Sequence, residues 1–308
     1  MTFTQLEVFA ALARAGSFSR AAALLGITQS AVSHALRALE GELQVQLVRR
    51  EGPHSPLTDA GTRLLQRAND ILQQKEALRQ EADAERGMAR GTLRVASFGA
   101  TSSLRLLPPL ITEYRRRQPA VLVQIDEQND DTVVKWLLER RVEIGFVVLP
   151  DERFETVPLV EDELVALLPA AHRLAAQRSI RAADLQGEAF VRTSAGSGAH
   201  IDRFLAEACA QPAAIYHFEQ MSSMQGFVAQ GHAIAIAARL AVPEQAPEGM
   251  VYRSLSPRQR RVTGLAVRSM ERLSPAAAGF VELAREMAKI VGGALPEQWL
   301  KQNLERWQ

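Results

Sequence analysis

The sequence predicts a multidomain protein of α plus α/β class: an all-helical N-terminal module, one long helix, then two α/β lobes. Three observations predict it. Short apolar stripes at helical spacing crowd the first 58 residues, one long helical pattern starts at Asp59, and β-branched runs alternate with helical ones after residue 91. At 308 residues the chain exceeds one ordinary core. Its hydrophobic share of 47% and charged share of 23% are those of a soluble globular protein.

Leu6, Phe9, Ala10 and Ala13 form the first stripe, and Gly16 ends it. Ser17 is an N-cap for a second helix through Leu25, and Thr28 caps a third that runs to about Leu43. In that third helix Val32, Ala35, Leu36 and Leu39 follow the spacing of a buried face. At 100° per residue, Ser30, Ser33, His34 and Arg37 fall on the opposite side. Residues 45–57, broken by Gly52, Pro53 and Pro56, read as a two-stranded ribbon with a turn at 51–54. Two helices joined by a short turn and followed by a ribbon describe a winged helix-turn-helix, with the helix-turn-helix at about 18–37. Between residues 14 and 50 five arginines face two glutamates, a modest basic bias compatible with nucleic acid.

In the long helix Leu64, Ile71 and Leu78 recur every seven residues, interleaved with Ala68, Lys75 and Ala82. That repeat predicts a two-stranded coiled-coil segment over 59–90, with Lys75 as a polar seam position, the alternative being a single amphipathic helix packed on its own domain. Gly87 and Gly91 mark the boundary. Strands are expected at 92–97, 121–125, 142–148 and 262–267, and helices at 103–117, 130–141, 199–210 and 275–291. The alternation argues parallel sheets with right-handed crossovers. Lobe I is expected at about 91–161 and 266–292, and lobe II at about 162–265. The tail 294–308 carries Trp299, Leu300, Leu304 and Trp307 at near-helical spacing.

Read in order, "FxxxxxxGSFSRAAxxL" at 9–25, "SAVSxxLxxLE" at 30–40 and "LTDAGxxLL" at 57–65 resemble the LysR-type transcriptional regulators. Weaker echoes follow: "LRVAS" at 93–97, "LLPPL" at 106–110, "LPAAHRLA" at 168–175, "VAQGHAIAI" at 228–236 and "LSPAAAGFVEL" at 273–283. The chain departs from the family pattern at Gln44, where glycine is usual, and at Val48, where phenylalanine is usual. Gln44 argues against a left-handed cap on the third helix, and Val48 argues for a loosely anchored wing.

The resemblance implies a DNA-binding domain at 1–58, a dimerisation helix at 59–90 and a regulatory domain at 91–308 whose lobes are of periplasmic-binding-protein type. A groove-facing helix needs short or bidentate polar side chains outside and apolar packing inside. Thr28, Gln29, Ser30, Ser33, His34 and Arg37 supply the first, with Gln29 and Arg37 toward base edges and Thr28 and Ser30 at a phosphate. Arg49 and Arg50 on the wing would meet the backbone or minor groove. No cofactor is expected, but a small-molecule effector is implied between the lobes.

Its candidate ligands begin with the loop Ser97, Phe98, Thr101, Ser102 and Ser103, which follows a strand where α/β sheets present ligand sites. Gln128 and Asn129 follow the second strand, and Phe146 and Val148 offer apolar walls. In the second lobe Thr193, Ser194, Ser197, Met221 and Ser222 complete the set. Hydroxyls at helix N-termini suit a carboxylate or other anion.

Cys209, the single cysteine, excludes an internal disulfide framework. As a lone helical cysteine it reads as a small buried hydrophobe, because peroxide-sensing relatives use two. The chain has no HExxH, GxSxG, Walker or GxGxxG pattern, no apolar run long enough for a membrane span and no secretory leader, so a cytoplasmic, non-enzymatic protein is expected. The partners implied are an operator in double-stranded DNA, RNA polymerase, the effector, and further copies of the chain as dimer or tetramer. The alternative is a cytoplasmic small-molecule-binding α/β protein or enzyme without a DNA-binding role.

Overall fold

The computed structural model describes residues 1–49, 55–86, 90–193 and 197–290. The wing turn, Arg50, Gly87, Ser194 and the aromatic tail therefore lie outside the described residues.

Three short helices, α1 (Phe3–Ala15), α2 (Phe18–Leu25) and α3 (Gln29–Leu43), close on one apolar cluster. Each begins with a hydroxyl cap. Thr2 accepts from the Gln5 N–H, Ser17 from Arg20 and Thr28 from Ala31, which supplies partners for otherwise orphaned donors. Gly26, at φ 65°, ends α2 in the left-handed region and allows the tight turn to α3. Gln44 adopts the same conformation, at φ 54°, and its N–H reaches the Glu40 carbonyl. The expected loss of a left-handed cap is thus corrected. Val48 is likewise anchored, 1% exposed and bridged to Leu57.

Helix α4 (Asp59–Glu85) starts at Thr58, whose hydroxyl accepts from the Gly61 N–H and donates to the Gln46 carbonyl. At Gly61 α4 touches the Leu47 backbone, and a Cβ there would lie 2.0 Å from the Leu47 carbonyl oxygen. One face of α4, through Leu65 and Ala68, joins the N-terminal core. Ile71 and Leu78 stay exposed on another face. The interleaved series is corrected, because Ala68 packs inside its own domain and Lys75 pairs with Glu7 of α1 at 2.7 Å.

The α/β part contains β1 (Gly91–Phe98), α5 (Leu107–Arg117), β2 (Val121–Gln128), α6 (Asp130–Leu138), β3 (Ile144–Leu149) and β4 (Glu155–Pro169). It continues through β5 (Ser179–Arg181), β6 (Ala189–Thr193), α7 (Gly198–Glu207), β7 (Ala214–Phe218) and α8 (Met221–Ala229). The closing elements are β8 (Ile234–Ala238), β9 (Met250–Ser256), β10 (Arg260–Val267) and α9 (Pro275–Ile290). The main strand path runs β2-β1-β3-β10-β4-β8-β6-β7, with β9 joining β4 to β5.

The sheet is mixed rather than parallel. β1 is parallel to β2 and β3, but β10 and β4 run antiparallel through its middle. The two long strands tie the lobes together. The first part of β4 pairs with β10, and from Leu164 it pairs with β8 and then β9. β10 enters lobe I at Val262, opposite Leu149, so the return crossing lies several residues before the expected 266. The lobe I core gathers β1, β3 and β10 under α5, α6 and α9, with Tyr114 donating to the Ala276 carbonyl at 2.8 Å.

α4 docks on lobe I through amides. Asn69 donates to the Glu139 carbonyl and Gln73 to the Arg140 carbonyl, each at 2.7 Å. Gln80, 2% exposed, accepts from the Ala276 N–H. No described helix is long and apolar enough to cross a membrane.

Gly61→Ala should force α4 off the Leu47 carbonyl and cost about 1–3 kcal/mol. A lowered thermal midpoint for the variant, against an unchanged one for exposed Thr62→Ala, is the expected result.

Candidate nucleic-acid interface and inter-lobe cleft

The third helix separates its faces as its spacing requires. Val32, Leu36 and Leu39 are fully buried, while Gln29, Ser30, His34 and Arg37 are exposed and Ser33 is half-buried. Thr28 caps the helix at its exposed N-terminus, where free N–H groups and the dipole favour an anion. Arg49 lies exposed at the start of the wing, its N–H bonded to the Pro56 carbonyl at 2.9 Å.

Glu40 is the residue that sequence reasoning missed here. Its carboxylate accepts from the Leu47 N–H at 2.8 Å and from Val48 at 3.3 Å, tying the wing to α3. It is the final letter of the motif at 30–40, which was the available signal.

Between the lobes the structure brings together Phe98, Thr101, Thr193, Ser197 and Met221 around a cavity of about 10 Å³, room for roughly one water. The side chain that fills the cleft is Arg261 of β10, 4% exposed. Its guanidinium donates to the Thr101 hydroxyl at 2.7 Å, the Ser197 hydroxyl at 3.0 Å and the Asp162 carboxylate at 3.3 Å. Burial pushes the Arg261 pKa down, and the adjacent Asp162 opposes that shift. Asp162 also accepts from the Leu240 N–H at 3.1 Å and the Glu163 N–H at 2.9 Å. The pair therefore holds both lobes at the point where both strands cross. Arg261 closes the basic stretch 258–261 just before the apolar run of β10, and nothing in that stretch singles it out as buried.

The other cleft candidates are placed elsewhere. Ser102 is spent on the Phe98 backbone and on Ser97, whose hydroxyl also meets Ser103 at 2.9 Å. These three knot the first turn rather than line the cavity. Phe146 belongs to the lobe I core, and Val148 packs against that core opposite Thr263. Gln128 and Ser222 are exposed away from the cavity, and Asn129 caps α6 by accepting from Thr132. Cys209 is exposed at φ 51°, beyond the end of α7, and is not a buried hydrophobe.

A capped helix-turn-helix with a polar outer face, carried on a long helix ahead of two hinged lobes, defines a DNA-binding transcriptional regulator with a substrate-binding domain. Residues 3–62 match the model of the bacterial regulatory helix-turn-helix proteins of the lysR family, and residues 86–289 match the LysR substrate binding domain. The chain belongs to the LysR family of transcriptional regulators. It is 34% identical to the uncharacterized HTH-type transcriptional regulator YvbU of Bacillus subtilis, over 93% of this chain and 99% of that one. It is also 34% identical to the probable HTH-type transcriptional regulator LrrA of Synechococcus elongatus, over 94% and 98%. In fold it resembles a full-length OxyR variant from Pseudomonas aeruginosa, with TM-score 0.70, 24% identity and coverage of 96% and 97%. Full-length CbnR complexed with its target DNA is similar at TM-score 0.61 and 25% identity, over 94% and 100%.

Asp162→Ala should cost about 3–5 kcal/mol, because it leaves the Arg261 guanidinium buried without its carboxylate. The double variant Asp162→Ala with Arg261→Met should recover much of that loss in a denaturant titration. Equal loss in both would show that the charge itself is not what matters.

Proposed function

We propose that α3 enters the major groove of an operator, with Gln29 and Arg37 meeting base edges and Thr28 and Ser30 meeting phosphate. Ser33 and His34 lie on the same face, and Arg49 and Arg50 hold the flanking backbone or minor groove. The observation that carries this reading is the division of α3 itself: its apolar side is buried, and its capped N-terminus and polar side are exposed. The CbnR complex with target DNA supports it by analogy of fold.

Two copies joined through the exposed Ile71 and Leu78 of α4 would present two recognition helices to an imperfect palindrome, as dimer or as dimer of dimers. The protein acts in the cytoplasm, where its operator and RNA polymerase are. A small anionic effector enters the inter-lobe cleft, takes up hydrogen bonds from Thr101 and Ser197, and shifts the balance of lobe arrangements. On this reading the closed cleft would be one end of that balance.

Arg49→Ala should weaken operator and random DNA alike and reduce the salt slope by about one unit. Gln29→Ala should instead lose about 1–3 kcal/mol of discrimination between the two. Mobility shifts across a salt series measure both, and equal losses for Gln29→Ala on the two DNAs would remove its role in reading sequence.

A further inference from the structure

A second cavity, about 360 Å³, opens where α1, α4 and lobe I meet. It is far roomier than the closed inter-lobe cleft, and its wall belongs to all three parts of the chain. Six cationic and four carboxylate side chains line it.

Several of these charges are already engaged. Lys75 holds Glu7, and Arg140 holds Asp70 of α4. Glu143 accepts from both the N–H and the hydroxyl of Ser274, Glu76 accepts from Gln80, and Glu139 faces Lys135 at 3.7 Å. Arg14 of α1, Arg79 of α4, and Arg94 and Arg141 of lobe I remain. Among the described residues, none of the four forms an ion pair. Arg94 is steadied by the neutral side chain of Gln124 at 3.2 Å, and Arg141 stacks 3.9 Å above the Trp136 ring. Desolvation first, then mutual repulsion with Arg94 and Arg141, pushes the Arg14 pKa down, and Asp126 offsets this only in part. Four guanidiniums thus reach one open space; Asp126 and Glu139 lie near Arg141 and Glu143 near Arg94, but none within ion-pair distance, and the cations of the wall outnumber its carboxylates.

We propose that this junction cavity binds a small, multiply charged anion, a phosphate ester or a polycarboxylate, clamped by Arg14, Arg94 and Arg141. The ligand bridges α1 of the DNA-binding domain to lobe I and so fixes the recognition helix relative to the regulatory lobes. The site is separate from the inter-lobe cleft and does not depend on what enters that cleft.

Calorimetric titration of the full-length protein with pyrophosphate, with citrate, and with chloride at matched ionic strength tests the proposal. Saturable binding of pyrophosphate or citrate, one per chain, is expected, and the stronger of the two identifies the phosphate or carboxylate source. Arg94→Gln and Arg141→Gln should each weaken it roughly tenfold, the effect of losing a charge-assisted hydrogen bond. Thr101→Val, in the other cleft, should leave it unchanged. Arg94→Gln touches no core residue, Arg141→Gln loses the stacking on Trp136, and the thermal midpoints of both report folding independently. Binding no tighter than chloride, equal binding in the arginine variants, or loss in Thr101→Val alone would overturn the proposal.

Discussion

The close approach of α4 to the Leu47 carbonyl at Gly61 is the constraint on which the rest of the molecule depends. No side chain fits there, so helix and wing meet backbone to backbone, and Thr58 locks the contact from the other side. The direction of α4 is set at that point. Its next turns cover the N-terminal core through Leu65 and Ala68, and later turns dock on lobe I through Asn69, Gln73 and Gln80. Amide-to-backbone hydrogen bonds of this kind are directional and fix register more than they add stability. One helix therefore carries position from the DNA-facing module to the regulatory one.

Within the regulatory part, the equivalent constraint is the crossing of β4 and β10. Apolar packing fills each lobe separately, but Arg261 and Asp162 stand between the cores and bond to both sides. A buried pair is a weak source of net stability, but removing one partner is costly, so this one favours the arrangement that keeps both together. Its hydroxyl partners, Thr101 and Ser197, are the groups that the proposed effector would engage, and on that proposal lobe closure and ligand recognition would draw on the same few hydrogen bonds.

The N-terminal module was legible in the sequence because every local rule agrees there: hydroxyl caps, helical apolar spacing and a glycine turn lead to one arrangement. The outer face of α3 followed from spacing alone. The long-range choices were not legible. Lys75 reads as a seam residue until α1 brings Glu7 beside it, and Ser102 reads as a ligand until its hydroxyl turns back to Phe98. The sheet reads as parallel because strand-helix alternation hides the two antiparallel strands, β4 and β10. Gln44 took the left-handed cap without glycine, its N–H bonding the Glu40 carbonyl and its side-chain amide the Gly41 carbonyl. Arg261, the centre of the cleft, ends a basic stretch that reads as solvated, and its burial follows only once Asp162 and the second lobe close over it.

One continuous helix, docked on both sides, joins the DNA-binding module to the substrate-binding domain. The most direct test is an intrachain distance between paramagnetic labels at Ser19→Cys in α2 and Arg115→Cys in α5. The native Cys209 is replaced by serine, and labelled chains are diluted with unlabelled ones. A rigid α4 connection predicts one narrow distance distribution. A broad distribution, with the helix-turn-helix module sampling many positions against lobe I, would contradict the account.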